Sequence, residues 1–170
     1  MAAMSARSIL VVLLGFAGLV AGARLGFPLP GTDVPQTGQT LAVLLVGALA
    51  GPVPGTAAVA IYLLAGAAGL PVFADGAAGV DALTGPTGGF LVTFLPAAAA
   101  AGHLTRRLAA APGSRWRRGA LLWLGLAGCH ALILLGGWLR LSLLLGPADA
   151  LAAGVTPFLY GAAAKTLAAT

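Results

Sequence analysis

The 170-residue sequence contains no glutamate and only four aspartates, Asp33, Asp75, Asp81 and Asp149, all in polar segments between apolar runs. Acid–base chemistry needs groups that can meet, and His103 and His130 are single histidines on opposite sides of a basic segment, so the makings of an enzyme site are missing. Cys129 is the one cysteine. It excludes an intrachain disulfide and a multi-cysteine metal site, which leaves it a helix-packing role. Cys129 and His130 are neighbours and cannot share one helical face, so packing or a membrane-boundary histidine is expected rather than a catalytic pair. The turn "GPTGG" at 85–89 lacks the Lys-Ser or Lys-Thr that completes an ATP-binding loop. No carboxylate lies within an apolar run to carry a proton relay. Uphill transport by this chain would therefore draw its energy from a partner.

Charge is also scarce, at 8% of residues against 59% hydrophobic ones, and the mean hydropathy is +1.01. A chain of this composition cannot hide its apolar surface from water as a soluble domain. It reads as an all-α integral membrane protein, one transmembrane domain over residues 1–170, with room for six helices of the ~20 residues that cross a bilayer. The net charge of +5 forms no long basic face with interleaved aromatics, which excludes a nucleic-acid partner and leaves membrane lipid. Arg7, the apolar run Ile9 to Val20 and the "AGA" at 21–23 imitate a cleavable signal peptide. Because no soluble mature domain follows, a retained first helix is expected.

Six spans are predicted: Ser8 to Ala23, Thr40 to Gly51, Thr56 to Leu70, Gly89 to Leu104, Ala120 to as far as Leu145, and Thr156 to the chain end. Prolines and glycines break the chain in "RLGFPLPGTDVPQTGQ" and in "GPVPG". The second and third helices are short, which suits close packing beside a cavity open to one surface. Starting inside, the arrangement puts Arg7, Arg106, Arg107, Arg115, Arg117 and Arg118 on one side and Arg24, Arg140 and all four aspartates on the other. Short cytoplasmic loops collect basic residues, so both termini are expected in the cytoplasm. The stretch "GLPVFADGAAGVDALTGPTGGF" at 69–90 then becomes an outer loop on the same face as the Pro-rich segment after the first helix. Two structured outer loops suggest a lid.

Apart from Arg140, near the outer end of the fifth span, Lys165 is the one Lys or Arg within the spans. Spacing alone leaves it either a functional cation or a side chain that snorkels to the surface. Ala17 and Ala21, with Gly18 and Gly22, form overlapping small-xxx-small pairs that let another helix approach, inside the bundle or on a partner subunit. Tyr62, Phe73, Phe90 and Tyr160 lie near the outer loops and are core aromatics or ligand contacts.

Taken together, "VPQTGQTLAVLLVGALAGP", "YLLAGAAGLPVFADGAAGVDALTGPTGGF" and "GVTPFLYGAAAK", in this order from Val34 to Lys165, resemble the BioY family, the substrate-binding membrane subunit of bacterial biotin transporters. "GLPVF" followed at its interval by "GPTGG" is the most specific part. The resemblance implies a six-helix capture subunit of the energy-coupling-factor type in the bacterial inner membrane. Biotin would be its transported ligand, with no cofactor, and its partners a transmembrane coupling subunit and two ATPase subunits. The loop at 69–90 would form wall and lid of a vitamin pocket, its glycines letting backbone approach the ligand and its prolines fixing the turns. Lys165 would meet the biotin carboxylate, Phe73 and Phe90 the apolar chain, and the backbone around Thr87, Gly88 and Gly89 the ureido ring, with Gln39 and Asp75 as further contacts. Ala17 and Ala21 would be the docking face for the coupling subunit. The sequence departs from the family pattern at Ala162, where an Asp usually stands, and at Phe90, where Tyr is common. Those departures keep two rival expectations open: capture of a related vitamin, and a non-transporting membrane scaffold.

Overall fold

The computed structural model describes residues 5–170. Helix α1 (Ala6–Arg24) opens at Ser5, whose side chain accepts the main-chain N–H of Ser8 at 3.2 Å, and ends on the basic Arg24, the favourable sign for a helix C-terminus. Helix α2 (Gln39–Ala50) and helix α3 (Pro52–Ala67) are separated by Gly51 alone, whose φ of +85° an L side chain rarely adopts. Pro52 and Pro54 do not form a loop as the sequence suggested. They sit in the first turn of α3, where the missing N–H has no intrahelical partner to lose.

A 3-10 turn (Ala74–Gly76) and the short α4 (Val80–Thr84) follow, then α5 (Gly88–Ala110) and α6 (Arg115–Leu145). Ser114 caps α6 by accepting the N–H of Arg117 at 3.3 Å. The basic segment is thus mostly helical, and only 111–114 is loop: Arg106 and Arg107 ride the end of α5, and Arg115, Arg117 and Arg118 the start of α6. Helix α7 (Pro147–Gly154) was not foreseen, and a 3-10 turn (Thr156–Phe158) leads into α8 (Leu159–Ala168). Two-residue strands β1 (Gly26–Phe27) and β2 (Gln36–Thr37) pair antiparallel, closing the Pro-rich segment into a hairpin with Phe27 opposite Gln36.

Helix α5 is the centre of the bundle, packed against α6, α2 and α3, while α1 covers α2 and α3, and α8 rests on α6 and α2. Small residues allow the approach. A Cβ on Gly47 would run into the backbone of Ala98, and one on Gly89 into the backbone of Gly136. Leu19, Val43, Leu44, Val59, Tyr62, Leu126 and Ile133 are buried, whereas Leu14, Leu49, Leu64, Leu124 and Leu143 stand on the outside, as expected of a chain solvated by hydrocarbon. Three helices, α1, α5 and α6, are long and apolar enough to cross a membrane; α2 and α3 are apolar but shorter. At ~1.5 Å per residue, α2 covers only ~18 Å of a ~30 Å core.

Candidate functional site

The segments 25–38 and 68–87 meet at one end of the bundle, where two arginines hold the longer one. Arg24, from α1, donates to the main-chain oxygen of Pro71, and Arg140 Nε, from α6, donates to that of Gly85 at 3.3 Å. Beneath these segments lies a cavity of about 480 Å³, lined by residues from 33–40, 73–77, 86–94 and 130–134 and by Phe158, Ala162 and Lys165.

Apolar walls dominate. Phe73 packs edge-on against Tyr62 (centroids 5.4 Å apart, planes at 79°), and Phe90 stands 6.0 Å from Phe158. Each of these wall rings rests on a glycine: Phe73 fills the space a Cβ on Gly66 would need, and Phe90 the space above Gly137. Polar groups are few. Gln39 Nε2 donates to the Tyr62 hydroxyl at 2.6 Å, Tyr62 donates to the main-chain oxygen of Val72 at 3.1 Å, and Thr37 Oγ1 donates to Gln39 Oε1 at 3.0 Å. The Gln39 amide is therefore committed on both sides, and it ties the start of α2 to α3 and to the outer segment.

Lys165 Nζ donates to the main-chain oxygen of Thr37 at 2.6 Å and to Thr40 Oγ1 at 3.3 Å. An ammonium has three N–H donors, and these two acceptors leave one for a ligand. Ala162, one helical turn earlier on the same wall, contributes only a methyl group. Asp33 and Asp75 line the cavity but are exposed to solvent, and Asp75 adopts a φ of +53°, in the left-handed region that short polar side chains tolerate.

Of the residues singled out in the sequence, the cavity brings together Lys165, Phe73, Phe90, Thr87, Gln39 and Asp75. Others fall elsewhere. Tyr62 is fully buried behind the wall, as the support of Phe73 and Gln39. Gly88 and Gly89 do not line the cavity; they are the first turn of α5, pressed against the backbone of Leu83 and of Gly136. Tyr160 is 88% exposed on the outside of α8, because α8 turns Ala162 and Lys165 toward the cavity. Ala17 and Ala21 lie exposed on the outer face of α1, while Gly22 faces Ala42 and Gly38 inside the bundle.

His130 and Gln36 were not anticipated as lining residues. His130 is no boundary residue: it is 3% exposed, in mid-α6, on a buried stripe with Leu126, Cys129, Ile133, Gly137 and Leu141. That stripe was the available signal, since a polar residue on the buried face of a long apolar helix is functional by default. Its Nδ1 lies 2.8 Å from Thr166 Oγ1. The arrangement suits a ligand with an anionic end, an apolar body and a few polar groups. Among the described residues, no three His, Cys, Asp or Glu side chains gather to hold a metal ion.

The chain matches the profile of the BioY family over residues 1–170. It is 37% identical over 142 residues to "Biotin transporter BioY" of Rhodobacter capsulatus, an alignment that covers 83% of this chain and 70% of that one. Its fold is similar to the crystal structure of the S-component for biotin from an ECF-type ABC transporter, with a TM-score of 0.83 over 98% of this chain and 90% of that one at 22% identity.

Proposed function

The chain belongs to the BioY family, and from that premise we propose that it captures biotin for uptake, as the substrate-binding membrane subunit of an energy-coupling-factor transporter. The observation that carries this reading is Lys165: a single lysine on the wall of a mainly apolar and aromatic cavity of about 480 Å³. Biotin has the complementary shape and chemistry, with a carboxylate at one end of an alkyl chain. A desolvated ammonium favours that carboxylate, and Phe73 and Phe90 favour the chain. Thr87 and Asp75 stand at the rim as further polar contacts, and Gln39 and Tyr62 hold the wall in shape.

The chain acts as one transmembrane domain in a bacterial inner membrane, with six spans and both termini in the cytoplasm. That orientation follows from the arginines at the α5–α6 turn and the aspartates at the cavity end. The short α2, α3 and α8 complete their spans with the cavity-lining segments around them, since non-helical backbone at membrane depth is tolerated where it borders a cavity. Its partners are a transmembrane coupling subunit and two ATPases, and the exposed Ala17 and Ala21 form the docking face for the coupling subunit. It carries out no catalysis itself.

Thermal unfolding of the detergent-purified protein tests the reading, because a ligand that binds only the folded state raises Tm with its concentration. Biotin should raise it. A larger shift with another vitamin would reassign the ligand, and no shift with any vitamin would favour a scaffold.

A further inference from the structure

We propose that His130 reads the ligand: the unprotonated Nε2 of its ring, fixed in that state by Thr166, accepts a hydrogen bond from a ring N–H of the bound molecule. This rests on the biotin reading above, in which the N–H belongs to the ureido group.

The tautomer follows from the partners. Thr166 Oγ1 lies 2.8 Å from the main-chain oxygen of Ala162 and 2.8 Å from His130 Nδ1. A hydroxyl has one hydrogen, and a carbonyl oxygen can only accept. The hydroxyl therefore donates to Ala162, since the opposite choice would press two lone pairs together at that distance. Thr166 Oγ1 must then accept from Nδ1–H, which leaves Nε2 of the neutral ring as an acceptor.

That acceptor has no partner within the protein and is shut off from solvent. A buried lone pair left unpaired is destabilising, and nearly all such groups in folded proteins are satisfied. His130 lines the cavity, so the missing donor can arrive with a ligand that shifts the ring or the side chains covering Nε2. The second buried, unpaired acceptor among the described residues is Gln36 Oε1, on the same lining. Two unpaired acceptors in one apolar cavity fit a molecule that brings N–H donors. The nearby cation does not fill the role in this structure: Lys165 bonds Thr37 and Thr40 and reaches neither of the two acceptors. Nor does α8 supply an acidic acceptor, since Ala162 and its neighbours are apolar or carry hydroxyls.

The test is equilibrium binding of biotin and of its two oxygen analogues, each with one ring N–H replaced by O, to the purified full-length protein. The replacement keeps size and turns a donor into an acceptor. The wild type should bind one analogue roughly ten- to a hundredfold more weakly than biotin. His130→Asn keeps a polar atom beside Thr166 but places nothing at Nε2, so that margin should collapse toward unity. His130→Gln sets its amide oxygen near the Nε2 position and should restore part of it. Thr166→Val, which frees the ring to change tautomer, should also shrink the margin and serves if His130→Asn does not fold. Failure of the wild type to bind biotin overturns the functional reading and this inference with it. Wild-type binding of both analogues as tight as that of biotin, or a wild-type margin kept in the folded variants, overturns the inference alone.

Discussion

The ammonium of Lys165 lies 2.6 Å from the main-chain oxygen of Thr37, across 128 residues of chain. With its second bond, to Thr40, it joins α8 to the start of α2 and keeps the charge turned into the bundle. A lysine held in this way is preorganised for an anion, because its long side chain has already lost the freedom that binding would otherwise cost.

Replacing Lys165 by Met keeps most of the apolar stem and removes the charge. Burying a carboxylate without its partner costs ~3 to 5 kcal/mol, on the order of a hundredfold to a few thousandfold in affinity. Binding measurements should show that loss for biotin with normal membrane yield. A neutral amide of biotin should bind the variant about as well as the acid does. If Lys165→Met still prefers the acid by the wild-type margin, the positive charge of the site comes from another residue.

Gly66 and Gly137 seat the rings of Phe73 and Phe90. Gly66→Ala and Gly137→Ala should push those rings into the cavity, with an overpacking cost of ~1 to 3 kcal/mol. Thermal unfolding should show a lower Tm, and binding a weaker affinity for biotin. Gly18→Ala is the control, since a Cβ there meets nothing within 4 Å, and its Tm should stay near the wild type. Equal behaviour of the three variants would mean that the aromatic wall is not seated on those glycines.

Orientation is accessible to cysteine labelling in a Cys129→Ala background. A thiol at Ser114, in the turn between α5 and α6, should react with an impermeant reagent only after the cells are opened. A thiol at Asp81, in the long segment over the cavity, should react in intact cells. Labelling of Ser114→Cys in intact cells would reverse the proposed orientation.

The outer face of α1 separates capture from assembly. Ala17→Trp adds bulk where the side chain is exposed and outside the cavity lining. Co-purification with the coupling subunit should fall while biotin binding by the isolated chain stays unchanged. Undiminished co-purification would remove this face as the docking site.

The sequence by itself determined the solvent and the main helices. Hydropathy required a membrane, because no soluble packing hides this much apolar surface. Gly51 and the Pro-rich segment ended helices through backbone sterics, which act within a few residues and are therefore readable from a string. The family resemblance of the motifs around 69–90 and 154–165 also pointed to Lys165, Phe73 and Phe90 together, and all three line one cavity. What the tertiary structure decided was which way each side chain faces. Helices that are apolar all round, such as α2 and α3, have no polar stripe to fix their rotation. The same local signals therefore placed Tyr62 and Tyr160 alike, although packing set one behind the wall and the other outside. His130 gained its meaning only when α8 brought Thr166 to within 2.8 Å of it, 36 residues away. That meeting depends on small residues letting α5, α6 and α8 close around the cavity, a balance of long-range contacts that no local pattern encodes.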